Sequence, residues 1–250
     1  MTAPFQTRSP SPAFIGVDLG QARDYSAIAV VQQVATAPTR YELTFLHRWR
    51  PRRYQEVPPA IRAVVDALCQ PVTVWRGHDH FRVERAEVDV IVDRTGVGRP
   101  VGDLLSETDL SPARLQLATI TGGDAVTTDG DGSIRVPKRD LASAIMLALE
   151  NGVLAIAAGL PLAETLVAEV VNFRPKISAA GHDSYGAASD WRENAHDDLL
   201  LATSMAVWFA ERRHTRGGEF RAESYAHVGE ADDDVRDAMW AEWPGLFDRP

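Results

Sequence analysis

The architecture of this chain is predicted by Phe14-Ile15-Gly16-Val17-Asp18-Leu19-Gly20, an apolar run that ends on a carboxylate. Nearly continuous apolar residues are typical of a strand that is buried on both faces of a sheet. A carboxylate at the end of such a strand is costly unless a cation or a hydrogen-bond donor meets it. We therefore expect Asp18 to belong to a site that binds a cation.

Two further segments carry acids that a single sheet could bring to Asp18. Asp93 ends the apolar run Val88-Asp89-Val90-Ile91-Val92-Asp93, and Asp197 and Asp198 open the last apolar helical segment. Carboxylates from three such places would form a pocket that divalent metal could neutralise. A pocket of that kind is suited to the hydrolysis of phosphodiester bonds.

Composition restricts the class of protein. The chain has 250 residues, of which 45% are hydrophobic, enough for one good-sized core. It has no apolar run of about eighteen residues that could span a membrane, and its first ten residues lack the apolar core of a signal peptide. Its single cysteine, Cys69, can form neither an internal disulfide nor a thiolate zinc site. These features predict a cytoplasmic protein.

The formal net charge of −9 argues mildly against nucleic-acid binding, but the charge is uneven. Residues 217–250 hold nine acids and three arginines, a net charge of −6, which leaves −3 for the rest. Bound metal ions would cancel several of the remaining acids. The tail also contains Trp240, Trp243, Leu246 and Phe247. It is either a docking peptide or a solvated or self-packed terminus.

Periodicity predicts a mixed α/β sheet, an antiparallel meander plus parallel strands, flanked by helices. We expect a flexible lead over residues 1–12, one domain over 13–216 and the acidic tail over 217–250. The first predicted strand ends at Asp18, and the other predicted strands cover residues 26–31, 41–46, 88–92 and 115–120. The predicted helices cover residues 58–68, 99–105, 138–149, 162–171 and 196–213.

Four segments together resemble the nuclease domain of the large terminase subunit of tailed phages, which has the RNase H-like fold. They are Ile15-Gly16-Val17-Asp18-Leu19-Gly20 with Asp24, Ile91-Val92-Asp93-Arg94-Thr95-Gly96-Val97-Gly98, Val136-Pro137-Lys138-Arg139-Asp140-Leu141, and His196-Asp197-Asp198 before an alanine-rich helix. The resemblance runs from about residue 14 to residue 213. It implies a metal-dependent DNA endonuclease for viral DNA packaging or genome cleavage.

On this interpretation, Asp18, Asp93 and Asp198 are the catalytic residues and hold two divalent cations, Mg²⁺ or Mn²⁺. Asp18 is the candidate bridging ligand, and Asp93 would hold one ion. Asp198, with Asp197 as the alternative, would hold the other from the first turn of the last helix, where the helix dipole favours a carboxylate. Asp24 either supports a metal ion or is an ordinary turn residue.

Other polar residues near these motifs have simpler explanations. Asp197 is also a favourable helix N-cap residue. Asp89 lies four residues before Asp93 on the same strand face, and because it starts the strand we expect it to be a solvated rim residue. His196 either shuttles a proton or simply precedes the helix, and Asp183 is at most a peripheral ligand.

Double-stranded DNA is the predicted substrate, and phosphate contacts dominate such binding. The candidate phosphate contacts are one basic stretch with interleaved aromatic residues and several cations beside predicted strand or helix ends. They are Arg48, Arg50, Arg52 and Arg53, then Lys138 and Arg139, with Arg174 and Lys176 as further candidates. Each could instead belong to an ordinary charged surface. Since no base-reading element is evident, we expect little sequence specificity.

The sequence contains no G-x-x-x-x-G-K-[ST] phosphate loop, so we do not expect a whole packaging motor. A separate packaging ATPase or a portal protein would then be a possible partner. Three alternatives remain. They are a Holliday-junction-resolvase-like nuclease, an actin- or sugar-kinase-like ATPase domain, and a catalytically silent DNA or protein adaptor. Clustered carboxylates argue against the adaptor, because without metal they would destabilise the fold.

Overall fold

The computed structural model describes residues 9–20, 24–76, 81–96, 99–173 and 197–216. The strands and helices in chain order are β1 (Ala13–Asp18), β2 (Ser26–Val34), β3 (Arg40–Trp49), α1 (Val57–Leu68), β4 (Val72–Trp75), β5 (Phe81–Glu84), β6 (Val88–Asp93), α2 (Arg99–Glu107), β7 (Arg114–Thr121), β8 (Thr127–Thr128), β9 (Ile134–Pro137), α3 (Lys138–Glu150), β10 (Leu154–Ile156), α4 (Ala163–Asn172) and α5 (Asp198–Arg216). Within these residues, no helix is long and apolar enough to cross a membrane.

The main sheet is mixed, as predicted. Its described strands are ordered β10-β3-β2-β1-β6-β7-β9-β8. Strands β1, β2 and β3 form the predicted antiparallel meander, whereas β1, β6, β7 and β9 run parallel to one another. The two strands that end on predicted metal ligands, β1 and β6, are therefore direct neighbours in the middle of the sheet.

Helices cover both faces of this sheet, and alternation along β1 decides which residues meet which layer. Ala13, Ile15 and Val17 pack against α1 and α2, while Phe14 packs in the core that includes α3, α4 and α5. Gly16 and Asp18 follow Phe14 at intervals of two and so share its face. By the same alternation Ile91 of β6 faces the α5 layer, and so does Asp93.

Helix α5 lies directly against the backbone of β1 at Gly16. A Cβ atom added to Gly16 would lie 1.9 Å from the carbonyl oxygen of Ala202 and 2.9 Å from the backbone nitrogen of Ala206. Both alanines are fully buried. Glycine on the strand and alanine on the helix thus allow a close approach that larger side chains would prevent.

Asp89 is not the solvated rim residue that the sequence predicts. It is 4% exposed, and Arg114 donates to both of its carboxylate oxygens at 2.8 and 2.9 Å. Arg213 near the end of α5 lies 3.4 Å from Oδ2. The prediction is wrong because β6 lies inside the sheet, between β1 and β7. The start of a central strand is covered by its neighbours and by α5, and the two arginines compensate the buried charge.

His47 on β3 makes stability depend on acidity. Its ring is 5% exposed and stacks 5.3 Å from the ring of Trp49. Burial lowers its pKa from 6.5 to about 4. Between pH 6.5 and 4, His47 is therefore protonated in the unfolded chain but neutral in the folded chain. Wild-type stability falls as the pH falls through this window.

We expect His47→Phe to remove this contribution. The free energy of unfolding of the wild type, relative to the variant, should fall by roughly 2–3 kcal/mol between pH 7 and pH 4.5. Urea unfolding at several pH values measures the difference directly, and other titrating groups cancel in the comparison. A difference that does not change with pH would contradict a depressed His47 pKa.

Candidate metal centre

Asp18 and Asp93 lie side by side at the carboxyl ends of β1 and β6. The parallel register pairs Val17 with Val92, so the next residue on each strand is one of the two aspartates. Both belong to the face covered by α5, and they are only 8% and 5% exposed. The strand ends thus bring together the first two carboxylates that the sequence singled out.

Thr95 orients Asp93. The backbone N–H of Thr95 donates to Asp93 Oδ1 at 2.8 Å, and its hydroxyl donates to the same oxygen at 2.5 Å. The hydroxyl oxygen in turn accepts the Ile120 N–H at 2.7 Å from the neighbouring strand. Thr95 had no role predicted from the sequence, although an Asp side chain often accepts a hydrogen bond from the backbone two residues further on.

Asp198 reaches the same place from α5. It is the first residue of the helix and 7% exposed. Asp198, Ala202 and Ala206 recur every four residues and so lie on one helix face. That face meets β1 at Gly16, two residues before Asp18 on the same side of the strand. The close helix–strand contact therefore carries Asp198 toward Asp18.

The acids are close enough to affect one another's ionisation. Burial raises the pKa of Asp18 well above its usual range, and the negative charges of Asp93, Asp198 and Asp197 raise it further. Burial also raises the pKa of Asp93, although the hydrogen bonds from Thr95 act in the opposite direction. Such a pocket favours any cation that can replace the missing solvation.

Lys138 at the start of α3 supplies one cation. Its Nζ lies 3.2 Å from Asp197 Oδ2 and 5.5 Å from the centre of the Phe173 ring. It lowers the pKa values of both Asp18 and Asp93. Lys138, predicted from sequence as a DNA contact, thus lies at the edge of the acidic pocket. Asp197, the alternative ligand, is engaged by this lysine.

The donor set suits a hard divalent cation, because it consists of carboxylates and contains no thiolate. Among the described residues, however, no three His, Cys, Asp or Glu side chains are close enough to enclose one ion. The described acids therefore do not form a closed ligand shell. Asp24, also predicted as a ligand, is exposed two residues before β2.

The predicted DNA-binding arginines lie mainly around the end of β3. The register pairs Asp18 with Ala27 and Ala27 with Arg48, so Arg48 is level with Asp18 two strands away, about 10 Å. The guanidinium groups of Arg48 and Arg50 lie 4.6 and 4.1 Å from the centre of the Tyr25 ring. This cation–aromatic group borders the acidic end of the sheet.

The remaining candidates are more scattered. Arg52 and Arg53 are exposed in the turn that leads to α1. Arg139 pairs with the exposed carboxylate of Asp124 at 2.6 Å. His196, Asp183, Arg174 and Lys176 lie outside the described residues, and so does the 217–250 tail.

Glu169 is a buried acid at the site that sequence analysis missed. It lies on α4 at 9% exposure. Its Oε1 accepts from Arg48 Nη1 at 3.2 Å, and its Oε2 accepts the Leu200 N–H at 2.9 Å. Burial raises its pKa to about 7, with smaller contributions from Asp198 and Asp197. The only sequence signal was its spacing of three from Leu166, which places an acid on the apolar side of a helix.

A polar cleft adjoins Asp93 on the side of β7. Its volume is about 580 Å³. It is lined by Arg94, Thr95, Gly96, Thr119, Asp129, Gly130, Asp131 and Arg135. Arg94 is held there by Asp131 at 3.0 Å and by the Ser133 hydroxyl at 2.5 Å. The cleft leaves open space beside the loop that orients Asp93.

No protein-family model matches the sequence, and no curated protein matches it either. Solved structures are similar in fold. The large terminase nuclease from thermophilic phage G20c, with bound magnesium, is 19% identical with a TM-score of 0.51, over 81% of this chain and 84% of that one. The human cytomegalovirus terminase nuclease domain, manganese-soaked and inhibitor-bound, is 12% identical with a TM-score of 0.47, over 86% and 92%.

The phage G20c comparison confirms, at the level of fold, the resemblance carried by the four sequence segments. The chain therefore has the RNase H-like α/β fold found in the nuclease domain of a large terminase.

Proposed function

We propose that this protein is a metal-dependent DNA endonuclease of the terminase-nuclease type. The observation that carries the proposal is the pair Asp18 and Asp93 at adjacent strand ends, close enough to Asp198 for its charge to raise the pKa of Asp18. Burial and neighbouring acids raise the pKa of Asp18, so its ionised form is costly until a cation replaces the lost solvation. Carboxylates arranged in this way are a suitable ligand set for Mg²⁺ or Mn²⁺.

Two cations would be held by Asp18, Asp93 and Asp198, with Asp197 as the alternative to Asp198 and Asp24 in a supporting role. When bound, such ions activate a water molecule and stabilise the leaving oxygen of a phosphodiester. Thr95 would keep the Asp93 carboxylate oriented throughout.

Double-stranded DNA would lie over the same end of the sheet. Arg48 and Arg50 with Tyr25 offer a cationic surface level with Asp18, and Arg139 offers another near α3. Lys138 would exchange its partner Asp197 for a phosphate oxygen. A packaging ATPase or a portal protein would bring the DNA to the site in the cytoplasm of an infected cell.

Cleavage of supercoiled plasmid tests this function. The wild type is expected to nick and linearise plasmid with Mn²⁺ or Mg²⁺ and not with EDTA. Asp93→Ala should reduce the rate at least about 100-fold, because one ion loses its carboxylate ligand. Asp103→Ala is the matched control, since Asp103 is an exposed acid on α2, across the sheet from the pocket.

A wild-type protein that binds Mn²⁺ but cleaves plasmid under no condition would contradict the nuclease and favour the silent adaptor. Equal rates in Asp93→Ala and the control would remove Asp93 from the site. Preference for a four-way junction over plasmid would instead favour a junction resolvase.

A further inference from the structure

The start of α5 is capped by a residue from another helix. The first backbone N–H groups of a helix have no partner within it, and the residue before the helix usually supplies one. Here that residue is Asp197, whose side chain pairs with Lys138. In the first turn, the Leu200 N–H instead donates a hydrogen bond to the Glu169 carboxylate of α4 at 2.9 Å.

Glu169 is itself held in place. Its side chain is 6% exposed, and Arg48 on β3 pairs with the other carboxylate oxygen at 3.2 Å. Arg48 rests in turn on the Tyr25 ring. A buried carboxylate bound by a guanidinium and a backbone N–H has little freedom to move. The first turn of α5 is thereby fixed to the sheet through α4 and β3.

This fixation matters because of where α5 is otherwise anchored. Its close backbone contact with β1 is at Ala202 and Ala206, one and two turns beyond Asp198, and within the first turn Leu199 and Leu200 are buried in the core. Helix ends fray when their N–H groups lack partners. Without Glu169, the Leu200 N–H would lose its acceptor, and only the buried side chains of Leu199 and Leu200 would hold the turn that carries Asp198 in its place near Asp18.

We propose that Glu169 is a positioning residue that holds Asp198 in the orientation needed for metal binding, with Arg48 fixing Glu169. The proposal rests on the function proposed above. Glu169 acts through the hydrogen bond to Leu200 rather than as a ligand. Its neutral amide analogue retains an oxygen acceptor for that N–H, whereas alanine does not.

The test measures Mn²⁺ binding to folded protein by isothermal titration calorimetry, with thermal unfolding in EDTA measured in parallel. Glu169→Ala should weaken Mn²⁺ binding about 10- to 100-fold, as removal of an outer-shell partner does. Glu169→Gln should stay within about threefold of the wild type, because the cap survives. Glu164→Ala, an exposed glutamate on the same helix, should bind Mn²⁺ like the wild type.

Each other outcome is decisive. Unchanged Mn²⁺ affinity in Glu169→Ala, even with a lower melting temperature, would reduce Glu169 to a structural residue and overturn the inference alone. Equal losses in the Gln and Ala variants would assign the effect to charge and would also overturn it. A wild type that binds no Mn²⁺ would overturn the inference together with the proposed function.

A second variant keeps the test decisive if Glu169→Ala does not fold. If Glu169→Ala does not fold, Glu169→Leu fills the same space without an acceptor, and it must show the same loss of Mn²⁺ affinity. Wild-type affinity in Glu169→Leu would overturn the inference.

Discussion

Asp18→Asn is expected to abolish metal-dependent cleavage while leaving the protein folded, and to stabilise it in EDTA. The amide has nearly the shape of the carboxylate but no charge, so both proposed ions lose a shared ligand. We expect the plasmid-cleavage rate to fall at least about 1,000-fold, a loss of roughly 4 kcal/mol in transition-state stabilisation. Cleavage time courses at saturating Mn²⁺ measure the effect.

The expected gain in stability has a separate cause. Burial and three neighbouring acids make the ionised Asp18 costly, so its neutral analogue should raise the free energy of unfolding in EDTA by about 1–3 kcal/mol. Added Mn²⁺ should stabilise the wild type and not the variant. Asp103→Asn, which changes an exposed acid, should show neither effect. Wild-type cleavage by Asp18→Asn would exclude Asp18 from the site.

Gly16→Ala is expected to destabilise the protein more than any other single methyl group added to β1. The new Cβ would lie 1.9 Å from the carbonyl oxygen of Ala202, a backbone atom that cannot rotate away. Helix α5 must therefore move off the strand. We expect a loss of at least about 3 kcal/mol in the free energy of unfolding, measured by urea denaturation.

The same displacement should weaken Mn²⁺ binding in whatever fraction stays folded, because α5 carries Asp198. Gly130→Ala is the matched control, since a Cβ there meets nothing within 4 Å. It should change the free energy of unfolding by no more than about 0.5 kcal/mol. Equal stability of the two variants would contradict the close packing of α5 on β1.

The part of the fold that carries the acids could be predicted because its signals are local. Strands β1 and β6 are apolar runs that end on aspartate, and α5 begins at an acidic pair. The strands that were not predicted have weaker sequence signals. Strand β8 has two residues and β10 three, too few to show a period of two. The antiparallel strands β4 and β5 expose Trp75 and Phe81, so their pattern does not separate core from surface.

Long-range partners explain the errors and omissions within the site. Asp89 was misjudged because its neutralising arginines come from β7 and from the far end of α5. Glu169 was overlooked because Arg48 lies 121 residues away. A pattern of nearby residues predicts that an acid is present, but only the assembled sheet decides which cations and N–H groups surround it.

The packing of α5 against Gly16 also determines when the acidic pocket can form during translation. Asp18 is made early and Asp198 late, and the core face that contains Phe14 and Ile91 stays uncovered until α5 is available. Contacts this distant along the chain form slowly and after local structure. A nascent chain that still lacks α5 also lacks Asp198 and cannot assemble the acidic pocket. Whatever reaction the pocket performs is therefore withheld until translation has passed α5.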